Sequence, residues 1–134
     1  MTQEEKLLLF TDLSARLPYG VKINIKSDYT LEMEDTKLSV WHLDGLSYNA
    51  EYRGLKPYLR PMPSMTEEER KYIQDRWCYE WDGESFFDLL NYKGYFTLDN
   101  SFDLVDWLNA HHFDYRGLIE KGLALEAPAD MYNN

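Results

Sequence analysis

Cysteine occurs once in this chain, at Cys78. That excludes an internal disulfide framework and a zinc site built from four cysteines. No stretch approaches the roughly 20 consecutive apolar residues that a membrane span needs. The start, Met1-Thr2-Gln3-Glu4-Glu5-Lys6, lacks the cationic opening of a secretory signal, and the apolar run over 7–10 is too short for its hydrophobic region. With one thiol and no such signal, the expected compartment is the cytoplasm. There are no internal repeats and no low-complexity tracts. Basic residues are also short, with 14 Lys or Arg against 24 Asp or Glu.

What remains is an ordinary globular composition for 134 residues, 44% hydrophobic and 28% charged. This length fits one domain and needs no metal or disulfide to bury a core. Aromatic side chains reach 16%, and a core or a sticky surface must take them up.

The net charge of −10 is uneven. Residues 1–60 hold nine acids against eight bases, whereas 61–134 hold 15 against six. Within 77–114 there are eight acids and a single base, Lys93. Such a field repels phosphates and attracts a basic partner, although acidity also serves solubility alone.

Local signals outline the elements. Thr2 with Glu5 forms a capping box, and Leu7, Phe10, Leu13 and Leu17 then share one helix face, so a helix is expected over 3–17. Pro18 and Gly20 stop it. Val21, Ile23 and Ile25 alternate with Lys22, Asn24 and Lys26 as a half-buried strand does. Ser27-Asp28 offers a turn before a second strand around Leu31 and Met33. Asp44-Gly45 reads as a type I′ turn joining strands over 37–43 and 46–53, with Trp41 opposite Tyr48 and Leu43 opposite Leu46. Three prolines in 54–65 mark an extended connector in which Pro57 and Pro61 admit at most an edge strand. A second capping box, Thr66 with Glu69, opens a helix whose buried stripe is Ile73, Trp77 and Trp81. Asp82-Gly83 breaks that helix. A short helix over 84–92, a strand over 95–98 and a helix from Ser101 to about Phe113 follow, then an irregular tail. The expected fold is α+β: an N-terminal helix, a small antiparallel sheet of four or five strands curled in the manner of an SH3-like barrel, and C-terminal helices packed on it. It forms one domain, with a β half to about 60 and a helical half beyond.

Three segments carry a resemblance. They are the run from Lys56-Pro57-Tyr58-Leu59-Arg60-Pro61-Met62 to Thr66-Glu67-Glu68-Glu69, the run from Asp106-Trp107-Leu108 through His112-Phe113-Asp114-Tyr115-Arg116-Gly117 to Ala127-Pro128, and Arg16-Leu17-Pro18-Tyr19-Gly20-Val21 behind the first helix. Together they resemble a widespread group of small proteins encoded by gut bacteria and by their phages and prophages. No activity is established for that group, so the resemblance carries over no catalytic residue. It implies an accessory protein of mobile-element type.

Chemistry-bearing patterns are few. His111, His112 and Asp114, with Asp103 and Asp106 upstream, form the densest set of potential ligands. Spacings of five and eight residues from the acids to His111 do not match the i, i+4 pairs of zinc helices, so no metal or other cofactor is expected. Capping of a helix end by one histidine is the simpler reading. Cys78 has no base at i±4, and no nucleophile elbow or phosphate loop exists, which argues against an enzyme. The expected function is a non-enzymatic protein that binds a basic surface on a host or phage protein through an acidic patch of Asp82, Glu84, Asp88, Asp99, Asp103 and Asp106. The aromatic rings would then be spent inside. The overall charge argues against nucleic acid as a partner. The alternative places a nucleic acid or small ligand on the β face, where Lys22, Lys26, Lys56, Arg53 and Arg60 accompany Trp41, Tyr48, Tyr52 and Tyr58. Trp41, Tyr48, Tyr52, Lys56 and Arg60 are its ligand residues. A homodimer built on exposed Tyr and Trp is a further alternative.

Overall fold

The computed structural model describes residues 1–27, 29–49, 51–77 and 98–132. The chain divides into two compact units, one of Met1–Leu59 with Arg116–Asn134, the other of Arg60–Tyr115. The architecture is α+β, with helices and a four-stranded sheet among the described residues.

In the first unit, helix α1 spans Gln3–Arg16. Its capping box is formed: the Glu5 N–H donates to Thr2 Oγ1 at 3.1 Å, and the Thr2 N–H donates to Glu5 Oε1 at 3.0 Å. A 3-10 turn, Leu17–Tyr19, follows, and Gly20 leaves it with φ 74°, in the left-handed region open to glycine. Strand β1 (Lys22–Lys26) pairs antiparallel with β2 (Met33–Lys37) on one side and β3 (Lys56–Leu59) on the other. β4 (Leu125–Glu126) adds to β3 in parallel. The order β2-β1-β3-β4 is an open, mixed sheet and not a closed barrel. Ile23, Ile25, Pro57 and Leu59 fill one sheet face and pack with Leu9, Leu13 and Leu46 in the core.

Two expectations fail here. The hairpin at Asp44-Gly45 does not form; those residues lie inside helix α2, Val40–Tyr48. Gly45 is needed there because the Tyr52 ring lies on its Cα, and an added Cβ would sit 2.6 Å from ring carbons. A missing side chain, not a left-handed turn, is what the position requires. β3 is not an edge strand either. In the β1–β3 register Ile23 faces Pro57 while Asn24 pairs with Lys56. The donor that Pro57 lacks therefore points away from β1, toward the side where β4 pairs only from Tyr58 onward. The expected irregular segment after Phe113 is irregular apart from β4, and it packs inward: Leu118, Leu123 and Ala124 are buried with the α1 leucines.

The second unit holds helix α3 (Glu67–Arg76), opened by the Thr66–Glu69 capping box, and helix α4, Leu98–Ala110. Ile73 and Trp77 are buried with Leu104, Leu108 and Phe113. Trp81, the Asp82-Gly83 break, the helix over 84–92 and most of the strand over 95–98 fall outside the described residues. Leu98 is helical, so α4 begins ahead of Ser101, its expected cap. The helix ends in a Schellman arrangement: the His112 N–H donates to the Asn109 C=O and the Phe113 N–H to the Leu108 C=O. His112 takes the left-handed position with φ 66°.

Candidate functional site

The acidic patch is placed only in part. Asp82, Glu84 and Asp88 lie outside the described residues, and Asp99 is on α4 among positions whose side chains are not described. Asp103 and Asp106 are exposed one turn apart on α4, on the side away from buried Leu104 and Leu108. Neither makes an ion pair among the described residues.

The five residues of the proposed β face are not on one sheet. Arg60 belongs to the second unit, where its guanidinium forms a two-pronged pair with Glu69, at 2.8 and 2.6 Å, and lies 4.1 Å over the Phe113 ring. Burial would raise the Glu69 pKa, yet the hydrogen bonds from Arg60 and the Thr66 cap hold it below its ordinary value. His111 stacks on Trp107 at 4.1 Å, with its Nδ1 3.7 Å from Glu69 Oε2. Its pKa is lowered by burial and by the Arg60 charge, against the pull of Glu69. Among the described residues no group of three or more His, Cys, Asp or Glu is placed to hold a metal. Tyr52 lies in a 3-10 turn, Tyr52–Gly54, with its ring against Gly45 and the Arg53 guanidinium 5.0 Å above it. Of the five, Lys56 alone stands on the open sheet face.

Trp41 and Tyr48 do share a face, but of a helix. Seven residues apart, they point the same way from α2, with Val40 and Asp44 beside them. Trp41 is 81% exposed and Tyr48 84%. The expectation that the rings are spent inside is therefore wrong for these two. Leu43 and Leu46 take the buried side of the helix, so Val40, Trp41 and Tyr48 stand exposed around Asp44 on the opposite crest. Beside it runs a groove of about 410 Å³ between α1 and α2, floored by Leu46 and walled by Lys6, Leu7 and Phe10. Leu7 is itself 67% exposed.

The helix that carries this surface starts from an unusual cap. The Ser39 N–H donates to His42 Nδ1 at 3.0 Å, and Ser39 Oγ lies 3.1 Å from the same nitrogen. A ring nitrogen that accepts a backbone N–H carries no proton, which fixes the neutral His42 tautomer with hydrogen on Nε2. Burial, then the nearby Arg53 charge, lowers the His42 pKa in the same sense. A Ser39-x-x-His42 signal was available in the sequence, as was the i, i+3 pair of Leu43 and Leu46. The stronger turn signal of Asp44-Gly45 concealed both.

Compared with known proteins, the chain matches no family model, no curated protein and no solved structure.

Proposed function

We propose that this is a non-enzymatic binding protein whose partner, a protein, seats on the α1–α2 surface with Trp41 as its anchor. The observation that carries the reading is the exposure of Trp41 and Tyr48 on one helix face beside an apolar groove. Large exposed apolar patches on monomers mark interaction sites, and Trp and Tyr are the side chains that most often dominate interface energies. The groove suits an amphipathic helix laid in with its apolar side down. Asp44, exposed between Trp41 and Tyr48, favours a Lys or Arg on the partner beside the crest, whereas Lys6 in the groove wall favours an acid there. The exposed pair Asp103 and Asp106 supports a second, acidic contact of the kind the sequence suggests. The resemblance to proteins of gut bacteria and their phages sets this reading among mobile-element accessory proteins that act on a host or phage protein.

The test is affinity capture from such a bacterium, infected and uninfected, with wild type and two variants. A partner held by wild type should bind Trp41→Ala about 30-fold more weakly, the loss of about 2 kcal/mol typical of an anchor. Asp103→Asn with Asp106→Asn should leave most affinity at low salt if the contact there is secondary. A partner retained equally by Trp41→Ala would remove the α1–α2 surface from the interface. Self-association of wild type that Trp41→Ala abolishes would make the occupant a second copy.

A further inference from the structure

The open face of the sheet shows a pattern that the interface on α1 and α2 does not use. The Leu38 N–H donates to the Val21 C=O, and the Ser27 N–H to the Glu32 C=O. The β1–β2 pairs between them therefore alternate. Lys22 with Lys37, Asn24 with Asp35, and Lys26 with Met33 are the non-hydrogen-bonded pairs, whose side chains stand closest and share one face. Lys56, opposite Asn24, and Tyr58 extend that face onto β3. Four lysines thus share it with one acid, Asp35. Two of them, Lys22 and Lys37, are directly opposite, a like-charge pairing that costs stability. Lys26, Lys37 and Lys56 make no ion pair among the described residues.

Asp35 offsets one of the four charges and leaves the face net positive. Its Oδ1 accepts from Asn24 Nδ2 at 2.9 Å and from the Tyr58 hydroxyl at 2.7 Å, bonds that hold its carboxyl below the ordinary pKa and keep it ionised. The bond to the hydroxyl also fixes the ring. Tyr58 is on β3 and Asp35 on β2, the strands on either side of β1, about 10 Å apart. To span them the Tyr58 side chain must lie along the sheet over β1, with one ring face on the strand and the other toward solvent. Its half-buried state agrees. The charge is also segregated within the chain: the first unit carries nine Lys or Arg against twelve Asp or Glu, a net of −3, whereas the second carries five against twelve, a net of −7.

We propose that this face is a platform for single-stranded nucleic acid, with a base stacked on Tyr58 and backbone phosphates met by Lys26, Lys37 and Lys56, the Lys22 ammonium already donating to the Met131 C=O at 3.3 Å. A flat ring set among cations is the combination that binds single strands without base-specific hydrogen bonds. An acidic peptide would use the lysines but has no need of the ring, and a duplex keeps its bases from it.

Fluorescence anisotropy of labelled dT12 and U12 with the full chain at about 50 mM salt tests this. Both strands should bind, and affinity should fall steeply as salt rises. Lys37→Ser with Lys56→Ser should weaken binding about tenfold or more and lower the log–log salt slope by about 1.4, about 0.7 for each phosphate that is no longer neutralised. Tyr58→Leu should weaken binding by about tenfold with the slope unchanged, because stacking is not ionic. Tyr58→Phe keeps the stacking ring but loses the bond to Asp35 that lays it across the sheet, so it should bind more weakly than wild type and more tightly than Tyr58→Leu. Circular dichroism checks that each variant folds; should Tyr58→Leu not fold, the lysine pair and the competitors decide. Absence of binding by wild type overturns the proposal. So does equal competition by poly-glutamate, which would make the face an acidic-protein site, or equal affinity for a 12-base-pair duplex.

Discussion

Gly45 shows how one residue decides between two folds of the same segment. In a hairpin it would supply a left-handed turn; in α2 it supplies room for the Tyr52 ring, 2.6 Å from where a Cβ would stand. Gly45→Ala should therefore destabilise the protein by about 1–3 kcal/mol in urea unfolding, despite the better helix propensity of alanine. In a Tyr52→Ala background the clash is gone, and the same change should stabilise by about 1 kcal/mol. A change of sign between the two backgrounds is the signature of the ring, and the same sign in both would refute it. No propensity argument reaches this result, because the obstructing ring belongs to a turn outside the helix.

At the scale of the element, α2 depends on an imidazole. The His42 pKa is depressed by burial and by Arg53, so the folded state favours the neutral ring. A base with a depressed folded pKa contributes its stability at a pH above the unfolded value, about 6.5, and loses it as pH falls below that value. Urea midpoints should accordingly drop between pH 7.5 and 5. His42→Gln, whose carbonyl oxygen can still accept from the Ser39 N–H, should flatten part of that slope. His111, whose pKa is also lowered, accounts for a further part, which His111→Gln should remove. A slope that survives both changes would place the titrating group elsewhere. The helix that bears Trp41 is thus sensitive to mild acid, and binding through Trp41 should weaken over the same range. Helices α1 and α3 were legible because their capping boxes are local: Thr2 with Glu5, and Thr66 with Glu69, lie three residues apart and satisfy each other's backbone wherever the helix sits. The cap of α2 was harder to read because histidine is not a usual partner at that position.

At the scale of the molecule, the first unit is assembled from both ends of the chain. β3 and β4 are parallel, and residues 60–124 form the connection between them. One fastening is ionic. Asp12, fully buried on α1, receives Arg16 Nε at 2.7 Å and Arg116 Nη1 at 2.8 Å, joining the helix to the tail. Another is the Tyr132 hydroxyl, which accepts from the Lys22 N–H at 2.9 Å and donates to the Tyr58 C=O at 2.7 Å. Burial pushes its pKa up to about 12, so it remains a donor at any ordinary pH. Asp12→Ala removes the carboxylate on which two guanidiniums converge, one of them fully buried. It should cost about 3–5 kcal/mol in equilibrium unfolding, whereas a surface ion pair is worth at most about 1 kcal/mol. A loss within the surface range would show that the triad is not what secures the tail.

Short-range chemistry alone makes the starts of α1 and α3, the alternation of β1, the α+β class and the negative charge legible. Those depend on neighbours a few residues apart, and the chain carries its neighbours with it. Tertiary structure decided the rest. Whether Asp44-Gly45 turns or coils depends on where the Tyr52 ring packs, and whether 116–134 is tail or core depends on Leu118, Leu123 and Ala124 meeting leucines more than a hundred residues earlier. That Lys22 should face Lys37, with Tyr58 laid across the sheet beside them, follows from a strand register fixed by burying Ile23, Ile25 and Leu59 on the opposite side.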